Sequence, residues 1–153
     1  MSEYTKHLTP RPELRERIIE TAVEAFSAHG IKSITMDDIA TSLGISKRTL
    51  YEVFSDKETL LEECILKGQK EGDEFLRNVL ATSENVLEVL LKCYQRSIEQ
   101  FHATNKKFFE DIKKYPKAYE LMTSRHNQDS EETVNFFKDR KSTRLNSSHL
   151  VLS

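Results

Sequence analysis

Tryptophan is absent from the sequence, and glycine and proline are scarce, with four and three residues among 153. So few turn-formers, in a chain rich in Leu, Glu and Lys, exclude a fold of many short strands and favour helices. The two cysteines, Cys64 and Cys93, are far apart and flanked by apolar residues. That makes buried free thiols of a reducing compartment the expectation, with a disulfide as the lesser alternative. No apolar run reaches the length of a membrane span, and "MSEYTKHLTPRPEL" has no apolar signal core. A soluble, cytoplasmic protein is therefore expected. Excess charge is missing too. The formal net charge is −2, so any contact with nucleic acid must come from a local patch.

What is present is helical periodicity. Residues 1–12 read as a polar arm, because Pro10 and Pro12 discourage helix before Glu13. "ELRERIIETAVEAFSAHG" then places Leu14, Ile18, Ile19, Ala22, Ala25 and Phe26 on one face, with Gly30 as its C-terminal cap. Thr35-x-x-Asp38 has the form of a capping box before a second helix buried through Met36, Ile39, Ala40 and Leu43. Gly44 ends that helix. Ser46 can cap a third, with Leu50, Val53 and Phe54 inward, and Asp56 a fourth. The fourth is long. Its Gly68 and Gly72, one turn apart, predict close approach of another helix or a bend. Thr82 to Glu84 punctuates. A fifth helix keeps Val86, Leu87, Leu90, Leu91, Tyr94, Ile98 and Phe101 in register, and "NKKFFEDIKKYP" reads as a short sixth. Pro116 suits the first position of a seventh, which carries Tyr119, Met122, Val134, Phe136 and Phe137. From Lys141 the period is lost in "KSTRLNSSHLVLS", and residues 141–153 are expected to be a foreign or disordered tail.

"TMDDIATSLGISKRTLYEVFSDKETL" carries the chemistry. Two short helices joined at a glycine form a helix-turn-helix. Ala40 is small where the helices cross, and Gly44 tolerates the positive φ of the turn. Ile39, Leu43, Ile45, Leu50 and Val53 anchor the second helix on the first. Its outer face then holds Ser46, Lys47, Arg48, Thr49 and Tyr51. Cations there can neutralise phosphates or bond guanine, and hydroxyls can bond phosphate oxygens. Thr35 and Lys57 flank the unit at helix N-termini, which favour anions. Residues 1–57 hold eight Lys/Arg against nine Asp/Glu, for a net −1, whereas Ser46 to Tyr51 carries +2 with no acid. Binding must depend on presenting this one face, and on two copies acting together. A two-residue basic cluster by itself is usually only solvated surface; Ala40, Gly44 and the anchors favour the aimed reading. A helix-turn-helix can also dock protein, so a helical interaction module without specific DNA binding is the alternative.

No enzyme motif is present: no phosphate-binding glycine loop, H-E-x-x-H, G-x-S-x-G or paired C-x-x-C. The five histidines are scattered without ligand spacing, so neither a metal site nor a cofactor is expected. Tyr94, Phe101, Phe108 and Tyr119 are candidates to line an apolar pocket for a small effector, while most of the aromatics are expected simply to fill the core.

Residues 13 to 66, through "RIIETAVEAFSAHGIKSITMDDIATSLGISKRTLYEVFSDKETLLEECI", resemble the N-terminal domain of TetR-family bacterial transcriptional regulators. The resemblance implies an all-α chain in two domains: a three-helix DNA-binding domain over 13–60, and a partial, truncated helical ligand-binding and dimerisation domain over 61–140. It implies a homodimer that binds a palindromic operator in double-stranded DNA and is released by a small molecule, with repression as the usual outcome. The matching DNA-contact positions are Thr35, Ser46, Lys47, Arg48, Thr49, Tyr51 and Lys57. Tyr51 and Lys57 match places that contact phosphate, whereas Lys47 and Arg48 stand where smaller residues are common, so base preference does not carry over.

Overall fold

The computed structural model describes residues 11–124, 134, 135 and 137–139. The described part is all-α. It comprises α1 (Arg11–His29), α2 (Met36–Leu43), α3 (Lys47–Val53), α4 (Lys57–Thr82), α5 (Val86–Ala103) and α6 (Lys106–Asp111), then a 3-10 turn, Ile112–Lys114. Helix resumes over 116–124, starting at Pro116 as its fixed φ favours. The polar arm before residue 11, Phe136 and the tail from 141 lie outside the described residues.

Local chemistry sets the boundaries. Thr35 and Asp38 form a complete capping box on α2. Ser46, Asp56, Asn85 and Asn105 each accept a backbone N–H in the first turn of α3, α4, α5 and α6. One boundary differs from expectation. Arg11 and Pro12 are already helical, ahead of the Glu13 at which the sequence places the start.

The first three helices and the start of α4 enclose one core. Ile18, Ile19, Ala22, Phe26, Met36, Ile39, Ala40, Leu50, Phe54, Leu60, Leu61 and Cys64 are buried together. Ile31, from the α1–α2 turn, and Ile112 and Ala118, from the C-terminal part, join the same cluster. Each large apolar side chain removed from water contributes about 1.5–3 kcal/mol. The outer side of this bundle is tied by Arg15–Glu63 at 2.8 Å and by Lys67, which pairs with Glu16, Glu20 and Glu71.

Three contacts join the C-terminal helices to the end of α1. The Asn105 backbone N–H donates to Ser27 O at 2.7 Å, and its side-chain amide donates to Ala28 O at 3.0 Å. Asp111 Oδ2 accepts from Lys32 N at 2.8 Å. Gly30 lies beneath this latch with φ +85°, and a Cβ there would stand 2.8 Å from Lys107 Cβ.

Two expectations are corrected. No neighbouring heavy atom lies within 4 Å of a Cβ built at Gly68 or Gly72. Among the described residues no helix packs directly on them, and α4 is continuous helix through both. Tyr94 and Phe101 do not fill the core. They are 66% and 62% exposed on an outer stripe of α5, because α5 buries only Val89 against α4 and the described helices leave its opposite face uncovered.

Candidate nucleic-acid interface

The turn between α2 and α3 has a stated geometry. Gly44 adopts φ +65° and ψ 29°. Its N–H donates to Thr41 O at 3.1 Å, and the Ile45 N–H donates to Ala40 O at 3.0 Å. These two bonds form a Schellman cap, which needs a left-handed residue at Gly44. Ala40 is 3% exposed at the crossing, and Leu50 is fully buried beneath α3. With Leu50 and Phe54 turned inward, the opposite side of α3 has to face solvent.

That side carries the expected residues. Ser46, Lys47, Arg48 and Tyr51 are exposed, Thr49 is half-buried, and Thr35 is exposed at the start of α2. Two of the hydroxyls also build the scaffold. Ser46 Oγ accepts from Thr49 N at 3.1 Å and lies 2.8 Å from Thr49 Oγ1. Thr35 Oγ1 accepts from Asp38 N at 3.1 Å and donates to Asp38 Oδ2 at 2.7 Å. The hydrogen bonds from Thr35 hold the Asp38 carboxyl below the usual carboxylate range.

The two cations have acidic neighbours that periodicity did not disclose. Lys47 Nζ lies 3.1 Å from Asp37 Oδ1 and 3.2 Å from Oδ2, and this pairing raises the lysine pKa. Arg48 Nε pairs with Glu52 one turn on at 3.3 Å, while the Arg48 side chain remains 88% exposed. Both pairs are solvent-exposed and therefore weak. A phosphate or base edge can compete for either cation. The Asp37–Lys47 pair joins the first turns of α2 and α3, and only the helix-turn-helix crossing brings those turns together.

Lys57 has a different setting from the other six. It opens α4, is half-buried, and holds its ammonium 5.8 Å from the centre of the Phe26 ring. Desolvation lowers its pKa, and the charges of Asp111 and Asp38 partly oppose that shift. Lys57 is thus near the Asp111 latch as well as the DNA-facing side.

Of the four aromatics proposed for a pocket, Phe101 lines an open groove. That groove, of about 650 Å³, is lined by Phe101, His102, Thr104, Lys106, Phe109, Glu110 and Lys113. Phe101 and Phe109 stack there at 5.5 Å between centroids. Tyr94 is higher on α5, Phe108 packs against the core, and Tyr119 is 39% exposed. Among the described residues no cluster of His, Cys, Asp or Glu could hold a metal ion, and no helix is long and apolar enough to cross a membrane.

A tight glycine turn, a short helix pinned by Leu50 and an outward face of hydroxyls and cations define a helix-turn-helix DNA-binding domain. Its family is specific. Residues 18–64 match the model for bacterial regulatory proteins of the tetR family, and this part of the chain is a TetR-family domain. Over 72 residues the chain is 32% identical to the biofilm operon icaADBC HTH-type negative transcriptional regulator IcaR of Staphylococcus aureus, which covers 47% of this chain and 37% of that protein. It is 33% identical over 97 residues to the HTH-type transcriptional regulator YhgD of Bacillus subtilis, covering 57% and 51%. The chain thus spans about half or less of the curated relatives it matches. The fold also resembles the ketosteroid transcriptional regulator KstR2 of Mycobacterium tuberculosis, with a TM-score of 0.62, 22% identity and coverage of 82% of this chain and 66% of that one. A TetR-family candidate from Mesorhizobium loti gives 0.64, 23%, 87% and 72%. The matched family is one of regulatory proteins and not of enzymes.

Proposed function

We propose that the chain is the DNA-binding part of a cytoplasmic transcriptional regulator that places α3 in the major groove of an operator. The observation that carries this reading is the outward face of α3, where Lys47, Arg48 and Tyr51 are exposed while Leu50 pins the helix from below. Ser46 and Thr49 lie at the end of α3 that would enter the groove first. Thr35 and Lys57 flank it as phosphate contacts. A single face with two cations binds weakly, so specific recognition needs two copies. A homodimer on a palindromic operator, with its two copies of α3 about 34 Å apart or a multiple of that, meets the need. Repression is the outcome favoured by the likeness to IcaR, a negative regulator.

Release by a small apolar effector would act through the groove at Phe101 and Phe109. Lys106 lines that groove and opens α6, the helix whose Asp111 is bonded to Lys32 N. An occupant that shifted α6 would therefore pull on the α1–α2 turn. Of the other aromatics proposed for the effector, Tyr94, Phe108 and Tyr119 lie outside the groove lining.

Selection from a pool of random duplexes tests the reading. The wild-type chain should enrich a two-fold symmetric motif, and Arg48→Ala should enrich it less or not at all. Failure of the wild-type chain to enrich any motif would overturn the proposal.

A further inference from the structure

The Asp37–Lys47 pair spans the two helices of the DNA-facing unit. Asp37 is exposed in the first turn of α2, and Lys47 is the first residue of α3. Lys47 Nζ lies 3.1 Å from one carboxylate oxygen and 3.2 Å from the other, and both side chains are more than half exposed. The neighbouring acids have work in the scaffold. Asp38 closes the capping box of α2, Asp56 caps α4, and Glu52 pairs with Arg48 on the same helix. Among the described residues Asp37 caps no helix, and its partner is Lys47. Gly44 and the Schellman turn fix how α3 crosses α2. They thereby fix the spacing of this cation and this carboxylate.

The first residues of a recognition helix are the ones that meet base edges in the major groove. A carboxylate taken out of water there needs a donor. Major-groove edges offer two, N4 of cytosine and N6 of adenine. Lys47 decides between them. In a guanine–cytosine pair, O6 of guanine is hydrogen-bonded to N4 of cytosine, so acceptor and donor stand about 2.9 Å apart. That is close to the spacing of Lys47 Nζ and the Asp37 carboxylate. Guanine N7, a second acceptor, lies beyond O6 on the side of the cation. An adenine–thymine pair also sets a donor beside an acceptor, but with the wrong neighbours. Adenine N7 would face the carboxylate, and the thymine methyl would crowd the ammonium. We infer that Asp37 is a specificity-determining residue, which with Lys47 reads one guanine–cytosine pair in each half of the operator. Lys47 donates to guanine O6 and N7 while Asp37 accepts from cytosine N4, and their own ion pair stays intact. Where that base pair is missing the carboxylate finds no donor and repels phosphate, so it lowers affinity for unrelated duplexes.

This role rests on α3 entering the groove, as proposed above, and one experiment separates the two. The 153-residue chain and its Asp37→Asn and Lys47→Gln variants each go through selection from random duplexes. Affinities are then measured on the selected duplex and on versions in which each base pair is replaced in turn. The wild type should require guanine–cytosine at one position of each half of the motif. Replacing it there by adenine–thymine or by the inverted pair should weaken binding about tenfold or more. Asp37→Asn should lose that requirement, because its amide rotates to offer a donor or an acceptor. Its affinity should rise about tenfold more on the adenine–thymine duplex than on the selected one, with the preferences at other positions unchanged. Lys47→Gln should relax the same position and no other. The circular dichroism spectra should match that of the wild type, since both side chains are exposed. If Asp37→Asn reproduces the wild-type motif position for position, with a uniform gain in affinity, the inference is overturned while α3 remains the reading helix. Relaxation at different positions in the two variants would overturn it too. A wild type that enriches no motif would overturn both the inference and the proposed function.

Discussion

Gly44 and Gly30 have positive φ, and no other described residue does. A side chain at Gly44 would meet open space but a strained backbone. Gly44→Ala should therefore cost about 1–2 kcal/mol in urea unfolding. Gly30→Ala should cost more, because its Cβ also collides with Lys107 Cβ at 2.8 Å. Gly68 and Gly72 predict the opposite sign. Both sit inside α4 with free space around them, so replacing either with alanine should stabilise the chain by about 0.5–1 kcal/mol. The capping carboxylates bring in pH. Asp38 is held low by hydrogen bonds from Thr35, and Asp56 by hydrogen bonds from Thr59. A carboxyl whose pKa is lower folded than unfolded contributes stability above its unfolded value, about 3.9, and loses it as pH falls through the folded value. Unfolding midpoints measured from neutral to acid pH should decline below about pH 4, and Asp56→Asn should flatten part of that decline. The Cys64 thiol, pushed up to about 12 by burial, should resist alkylation at neutral pH while the chain is folded.

Among the elements, α2 and α3 were legible in the sequence because their signals are local. Thr35-x-x-Asp38, Gly44, Ser46 and Asp56 each act within a few residues. The apolar period of α1 likewise marked Ile18, Ile19, Ala22 and Phe26, all of which are buried. Contacts between elements were not legible. Ile31 is fully buried yet lies in a turn, where no period marks it. Asp37 meets Lys47 ten positions on, and Asp111 meets Lys32 across 79. Periodicity located the stripe on α5 but did not say whether anything covers it. α3 has only seven residues, too few to persist alone, so its position depends on Leu50. Leu50→Ala should cost about 2–5 kcal/mol and release α3 from α2. The Asp37–Lys47 pair yields a further prediction. Asp37→Asn removes an acid from the binding face and frees Lys47, so affinity for any duplex should rise, most strongly at low salt.

At the scale of the whole molecule, one core includes Ile112 and Ala118 along with the residues of α1 to α4, while Asn105 bonds the last turn of α1 and Asp111 the turn that leads into α2. The α2–α3 unit and the groove at Phe101 and Phe109 are therefore joined through one core and the bonds at the end of α1. Asp111→Asn, which keeps the shape but weakens the bond to Lys32 N, should reduce any effect of a groove ligand on DNA affinity more than it reduces DNA affinity itself. The acidic balance of the chain adds a constraint. With a net charge of −2, nonspecific attraction to DNA is small, and binding depends on the few cations that α3 presents. The most direct test is the salt dependence of binding to a selected duplex for the wild type, Lys47→Ala and Arg48→Ala. Each cation that contacts phosphate should lower the logarithmic salt slope by about 1 when removed. Each that reads a base should cost about 1–3 kcal/mol on the selected duplex and much less on an unrelated one. Wild-type slopes and affinities retained in both variants would contradict the assignment of α3 as the DNA-reading helix.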